Sequence, residues 1–314
     1  MIKVDNLNIE NNFLLAPMSG VTDFPYREIV KEFEPGLVFS EMIASRALIS
    51  ENFKTKKMIK TTTNFISAIQ IAGCDPIIMG EAAKICEANG ADLIDINMGC
   101  PVKKVVNGYA GSALMKDEIL ATRILQSVVN SVKIPVSLKM RKGWDDNSLN
   151  APKIAKIAEE SGIKMITVHG RTRCQMYKGK SDWKFINKVK KSVKIPVLVN
   201  GDIQNIKNVK SALKDSNADG VMIGRGSYGR PWIFKELRNG GENKFELKMK
   251  DKKEIILKHL DLSIEHYGKD IGIKSFRKHL GWYSKSIENS NEFRFKINKC
   301  SNEFELKNLI NGFF

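Results

Sequence analysis

Eight short apolar or β-branched runs recur along this chain, separated by segments that read as amphipathic helices, and this rhythm restricts the fold more than any other feature. The runs are Phe13 to Ala16, Leu37 to Ser40, Ile66 to Gln70, Leu93 to Asn97, Val136 to Lys139, Met165 to His169, Val197 to Asn200 and Val221 to Gly224. Strands alternating with helices build parallel sheets, and eight such units match a (β/α)8 barrel of ordinary size. Asp75-Pro76, Asp117 and Ser181-Asp182 supply helix starts, and Gly90 and Gly162 supply helix ends. A doubly wound sheet is the competing architecture. It calls for a Gly-rich dinucleotide turn after its first strand, and Ala16-Pro17-Met18-Ser19-Gly20 is not one.

The segment Met1 to Asn12 reads as a small hairpin preceding the barrel. Beyond residue 240 the strand rhythm stops. The polar run Asn239-Gly240-Gly241-Glu242-Asn243-Lys244 reads as a linker, dividing a barrel over 1–240 from a helical bundle over 241–314. Helical spacing is visible over Lys252 to Tyr267, Ile273 to Asn289 and Glu303 to Phe313, with Ile255, Ile256, Leu260, Ser263 and Ile264 on one stripe. Lys274, Arg277, Lys278 and Lys285 are read as surface cations of this bundle.

The 314 residues carry 51 Lys and Arg against 35 Asp and Glu, a formal net charge of +16. Such charge favours a polyanionic partner, because cations that neutralise phosphates release counterions. Charge alone leaves open a lysine-rich solvated surface of the kind AT-rich coding produces. The five cysteines (74, 86, 100, 174 and 300) contain no C-x-x-C pair, and the four histidines form no H-x-x-x-H motif. Neither a disulfide framework nor a metal site is expected. No apolar run reaches the roughly 18 residues of a membrane span, and the first residues lack a signal-type stretch. The expected location is the cytoplasm, and the absence of a contiguous apolar surface run reads as a monomer.

In a barrel, the C-terminal strand ends carry the chemistry. Here those ends are unusually polar: Gln70, Asn97, Lys139 followed by Arg141, His169, and Asn200 followed by Gly201 and Asp202. Each has the parity opposite to an aliphatic neighbour, as Lys139 does to Leu138, His169 to Val168 and Asn200 to Val199. Burying a lysine and several amides around one axis is costly unless a polar ligand meets them. The turn Gly224-Arg225-Gly226, with Pro231 placed to begin a helix, and Gly201 after the seventh run resemble the phosphate grip of such barrels. Cys100, in Met98-Gly99-Cys100-Pro101, sits just past the fourth run, where a thiol can act as a catalytic acid. The segment from His169 to Gly179 interleaves Arg171, Arg173 and Lys178 with Tyr177, a pattern suited to holding a phosphodiester and packing a base.

Taken together, Asp95-Ile96-Asn97-Met98-Gly99-Cys100-Pro101, His169-Gly170-Arg171-Thr172-Arg173, Gly111-Ser112-Ala113-Leu114, Asn200-Gly201-Asp202-Ile203 and Met222-Ile223-Gly224-Arg225-Gly226 resemble the tRNA dihydrouridine synthases, most closely the bacterial B-type branch. The resemblance implies FMN as prosthetic group, NADPH as reductant and tRNA as substrate, with the helical tail as a tRNA-binding domain. It places Pro17, Met18, Gln70, Lys139 and His169 around the flavin, and Asn200, Gly201, Asp202, Gly224 and Arg225 at its phosphate end. Cys100 becomes the acid, and Asn97, Arg141, Arg171 and Tyr177 meet the uracil and its phosphates. Two other functions fit such a scaffold: a flavin dehydrogenase acting on a free pyrimidine, and a non-catalytic tRNA-binding factor.

Overall fold

The computed structural model describes residues 1–50, 53–62, 64–241 and 245–314. Strands β1 (Ile2–Val4) and β2 (Leu7–Ile9) form the expected antiparallel hairpin, Ile2 opposite Ile9. Nine further strands follow: β3 (Phe13–Leu15), β4 (Leu37–Phe39), β5 (Ile43–Ala44), β6 (Ser67–Ala72), β7 (Leu93–Met98), β8 (Val136–Arg141), β9 (Met165–His169), β10 (Val197–Asn200) and β11 (Gly220–Ile223). Their order is β4-β3-β11-β10-β9-β8-β7-β6-β5, and pairing of Val38 with Ser67 and Phe39 with Ala68 joins β4 to β6. Eight parallel strands therefore close into a barrel. The two-residue β5 was not expected; it extends the end of β6, with Ile43 opposite Ile71.

Side-chain parity divides the core into two shells. Leu14, Leu37, Phe39, Leu93, Met165, Leu198 and Met222 fill the lower barrel interior together with Val4 and Ile9 of the hairpin, so Met1 to Asn12 stops the N-terminal end. Leu15, Val38, Ile69, Ile94, Ile96, Leu138, Val168 and Val199 point outward into the layer beneath the helices. The apolar filling thus stops below the C-terminal strand ends, and the polar inward residues lie above it. Asp75 and Asp182 cap their helices as expected, accepting from Ile78 N at 3.2 Å and Phe185 N at 3.0 Å. Gly90 and Gly162 turn the chain with φ of +84° and +99°.

The tail departs from the sequence reading in two respects. Four helices form, Met249–Tyr267, Lys269–Tyr283, Ser290–Lys299 and Glu303–Phe313, where three were expected. The expected helix to Asn289 ends at Tyr283 because Ser286 and Asn289 take left-handed φ of +69° and +58°, which starts a new helix axis. Arg277 is also not a free surface cation: its Nη2 donates to the Cys300 carbonyl at 2.7 Å, tying two tail helices together. Residues 242–244 of the expected linker lie outside the described residues. Ile256, Leu260, Ile273, Phe276 and Leu280 of the tail join the same apolar cluster as the outer barrel layer. Among the described residues no helix is long and apolar enough to cross a membrane.

Candidate active site

A cavity of about 480 Å³ opens at the C-terminal end of the barrel. Of the fifteen residues singled out from the sequence, fourteen line it: Pro17, Met18, Gln70, Asn97, Cys100, Lys139, Arg141, His169, Tyr177, Asn200, Gly201, Asp202, Gly224 and Arg225. Arg171 does not. Its guanidinium is buried behind the wall, where Nε donates to Lys178 O at 3.0 Å and Nη2 to Gly179 O at 2.7 Å and Asp202 Oδ2 at 2.6 Å.

The wall around Cys100 is held by a chain of amides and carboxylates. Gln70 Nε2 donates to Asp95 Oδ2 at 2.6 Å and its Oε1 accepts from Asn97 Nδ2 at 2.8 Å. Asn97 Oδ1 then accepts from the backbone N–H groups of Gly99 at 3.1 Å and Cys100 at 2.9 Å. Both ends of the Asn97 amide thus place the cysteine turn. From the other side, Ser112 N and Oγ donate to the Cys100 carbonyl at 3.1 and 2.9 Å. Gly111, with φ +62°, must be glycine there, since a Cβ would lie 2.8 Å from the same carbonyl.

Three cations, Lys139, Arg141 and Arg225, also line the cavity. Lys139 Nζ donates to Asn200 Oδ1 at 3.2 Å, and burial first, then the Arg141 charge, bring its pKa down to about 8. Asp95 is pushed up to about 6 by burial, against the hydrogen bonds from Ser137 and Gln70. Arg141 donates to the carbonyls of Gly99, Thr172 and Met176, each at 2.8 Å, and burial lowers its pKa to about 10. The Tyr177 ring, half exposed, meets two guanidinium groups, Arg141 at 5.6 Å and Arg225 at 5.1 Å from its centroid. His169 is held neutral by burial and by the charges of Arg141, Lys139, Arg171 and Arg225. Its Nε2 faces Arg171 Nη1 at 3.3 Å; arginine can only donate, so Nε2 accepts and Nδ1 carries the proton.

Across the barrel from Cys100, β10 and β11 end in glycine turns. Gly201 has φ +114°, and a Cβ there would lie 2.4 Å from Ser181 Oγ and 2.8 Å from His169 Cδ2. A Cβ on Gly224 would approach Met18 Sδ at 3.4 Å, narrowing the cavity between two of its own walls. Asp202 accepts from Ser181 N at 2.8 Å and from Arg171, and its second oxygen meets Arg225 Nη2 at 3.4 Å. Asp202 thus carries an arginine on each carboxylate oxygen, Arg171 on one and Arg225 on the other. Pro231 does not begin the next helix, which runs Ile233–Arg238; the turn after β11 is instead a single 3-10 turn over Arg225–Ser227.

The family model described as dihydrouridine synthase matches residues 14–313, nearly the whole chain. The chain belongs to the dihydrouridine synthase family. It is 50% identical over 319 aligned residues to a protein of Rickettsia conorii named "Probable tRNA-dihydrouridine synthase", covering all of this chain and 96% of the relative. It is 42% identical over 301 residues to "tRNA-dihydrouridine synthase B" of Vibrio parahaemolyticus, covering 95% and 94%, in agreement with the B-type resemblance. Among solved structures, histamine dehydrogenase from Rhizobium sp. 4-9 superposes with a TM-score of 0.59 at 12% identity, over 83% of this chain and 50% of that one. Morphinone reductase in complex with tetrahydroNAD gives 0.52 at 12%, over 76% and 89%. At such identity these two similarities concern the barrel fold alone.

In this dihydrouridine synthase family member, several residues that build the site were not singled out from the sequence. Asp95 shares a strand face with Asn97, and the neighbouring strands bring Gln70 Nε2 and Ser137 Oγ to donate to it at 2.6 Å each. Ser181 was read as part of a helix cap. Asp182 does the capping, while Ser181 Oγ donates to Asn200 O at 3.2 Å and its N–H holds Asp202.

Proposed function

We propose that this protein reduces the C5=C6 bond of uridines in tRNA, with FMN as its bound cofactor and NADPH as the reductant, acting as a cytoplasmic monomer. The observation that carries this reading is the cavity in which a held thiol, Cys100, faces buried cations and amides, with glycine turns and Arg225 on the opposite strands. These residues fit FMN: Gly224 leaves the space beside Met18 clear, and Arg225 is aimed by Asp202 where a phosphate would need a partner. Arg225 with Gly201 and Gly224 would hold the phosphate, Asn200 the ribityl chain, and Gln70, Lys139, His169, Pro17 and Met18 the ring. When bound and reduced, the flavin supplies a hydride to C6 of uracil, whose C5=C6 bond is conjugated to the C4 carbonyl.

The protein's own part is to place charge and one proton. Lys139, still mostly an ammonium at neutral pH with a pKa near 8, favours negative charge on the ring beside it. His169, neutral and protonated on Nδ1, offers a donor without adding a further charge. Cys100 donates its proton to C5 and regains one from water, so hydride at C6 and proton at C5 complete the reduction. Asn97 and Ser112 keep the thiol in place for that transfer. Arg141 and Tyr177 meet the uracil and its phosphates, and Arg171 acts through Asp202 and His169. The cationic tail supplies the further surface that a folded RNA requires.

Purified protein supplied with FMN and NADPH is expected to convert uridine in unmodified tRNA to a product heavier by two hydrogens, read by nucleoside mass spectrometry. Absence of that product would remove the reading, and equal turnover of free uracil would replace it with a free-pyrimidine dehydrogenase.

A further inference from the structure

The loop that follows Cys100 is built more firmly than a connector requires. It leaves the cavity at Pro101 and returns at Ser112, whose two bonds to the Cys100 carbonyl close it at the base. Inside, Val105 N and Val106 N donate to Val102 O at 2.9 and 3.0 Å, Gly108 N and Ala110 N to Val105 O at 3.1 and 3.3 Å, and Tyr109 N to Val106 O at 3.0 Å.

Tyr109 stands at the tip, 74% exposed, with φ +56°. Glycine enters that left-handed region freely and a bulky aromatic residue does not. Gly108 is the adjacent residue, yet the left-handed turn falls on the tyrosine. A strained backbone that presents an aromatic ring to water adds nothing to packing, and such strain gathers where a ligand is met. Between Asp95 and Asp117 the chain has no acidic residue, and Lys103 and Lys104 are exposed on the same loop. Val102, also exposed, lines the cavity, so the loop forms part of its lip.

An exposed aromatic ring on a loop that also carries two exposed lysines suits an unpaired base and its phosphates. We propose that Tyr109 stacks on an unpaired base of the substrate RNA next to the uridine that enters the cavity, with Lys103 and Lys104 on the adjoining phosphates. The stack offsets part of the cost of withdrawing that uridine from its neighbours. This inference rests on the reading of the protein as a tRNA-uridine reductase.

The test is the Kd of the FMN-loaded protein for unmodified tRNA, measured by filter binding at fixed salt, with product formation followed in parallel. Tyr109→Ala is expected to raise Kd about tenfold, equivalent to about 1.4 kcal/mol. Tyr109→Phe and Tyr109→Trp are expected to bind as wild type does. Tyr109→Gly is expected to melt at the same or a higher temperature while binding as weakly as the alanine variant, which separates stacking from support of the loop. Reduction of the loaded protein by NADPH is expected to be unchanged in all four. An unaltered Kd for Tyr109→Ala overturns the proposal, as does a phenylalanine variant as weak as alanine. A change in oligomeric state without a change in Kd also overturns it, assigning the surface to a protein contact. Wild type that binds tRNA yet forms no dihydrouridine defeats the catalytic reading alone, because the Kd comparison needs no turnover.

Discussion

At the barrel mouth Arg171 is buried with its donors directed at Lys178 O, Gly179 O, Asp202 and His169, whereas beneath the helical tail His279 is buried with no hydrogen-bond partner on either ring nitrogen among the described residues. The mouth buries polar groups as a network. The junction buries them as flat aromatic rings: His279 stacks on Tyr26 at 5.4 Å and meets His259 edge-on at 4.6 Å, and His259 meets Phe276 at 4.8 Å. Within this second cluster His259 Nδ1 has a partner, the Tyr283 hydroxyl at 3.1 Å, while its Nε2 has none. A network fixes coordinates to within a hydrogen bond's tolerance, which chemistry needs. Ring packing fixes only shape and neutrality, which suffices to seat a helical tail on a barrel.

The contrast breaks most sharply at Cys100. Cys100→Ala removes a proton donor from the network without removing a bond that holds it, because the bonds around that residue are made by its backbone. Product formation on tRNA is expected to fall about a thousandfold, within the range for loss of general acid catalysis. Flavin content and melting temperature are expected to stay at wild-type values, and equal activity in the variant would end the acid assignment. Arg171→Met should behave in the opposite way, as a loss of structure. It takes the Arg171 donors from Asp202, His169 and two loop carbonyls, leaving Asp202 only those from Ser181 and Arg225. A drop of about 3 kcal/mol in unfolding free energy is expected from urea titration, as for one partner removed from a buried ion pair.

Acid tests the junction. Burial holds the His259 pKa down at about 3, against an unfolded value near 6.5, so between those values the unfolded chain binds more protons. Stability from this group is complete above pH 6.5 and is lost as pH falls; at pH 5 the loss is about 2 kcal/mol. His279, His169 and His266 are shifted in the same direction, also by burial foremost. Asp23 and Asp95, both raised to about 6 by burial, act with the opposite sign between about 3.8 and 6 and offset part of the slope. His259→Phe leaves the Tyr283 hydroxyl without its partner and lowers stability at pH 7. Its fall from pH 7 to pH 5 is nevertheless expected to be about 2 kcal/mol shallower than wild type, and a parallel fall would show that His259 is not buried as a neutral ring.

The same contrast explains which parts could be read from the sequence. The eight strands were legible because each combines an apolar run with strict parity, and parity alone placed Asn97, Lys139, His169 and Asn200 inside the barrel. Glycine turns and Cys100 were legible because turn chemistry is local. Arg171 was not: a basic loop looks the same in sequence whether its arginine faces solvent or is turned under the wall to meet Asp202, some thirty residues on. Ser181 and Asp95 were missed for the same reason, since their work depends on strands distant along the chain, and Ser112 because its bonds depend on how the loop after Cys100 returns. The tail's extra helix was missed because the break rests on left-handed Ser286 and Asn289, and neither is glycine. The histidine cluster gave no sequence signal, because His259 and His279 lie twenty residues apart on different helices.

The smallest expected effect sharpens the comparison within the mouth itself, where one carboxylate serves two arginines of opposite character. Arg171 is 2% exposed and lies 2.6 Å from Asp202, whereas Arg225 is 51% exposed, lies 3.4 Å away and rests over Tyr177. An ion pair as open as the second contributes about 0–1 kcal/mol to folding, so Arg225→Ala should leave the melting temperature nearly unchanged. If Arg225 is instead a ligand group for the cofactor phosphate, flavin retention after dialysis should fall about tenfold, or about 1.4 kcal/mol. Arg225→Lys should recover part of that loss, because it restores the charge but not the planar group that lies against Tyr177. Unchanged flavin content in the alanine variant would return Arg225 to the class that Arg171 occupies, a side chain that shapes the wall, and would require the phosphate to be held by the backbone of the glycine turns alone.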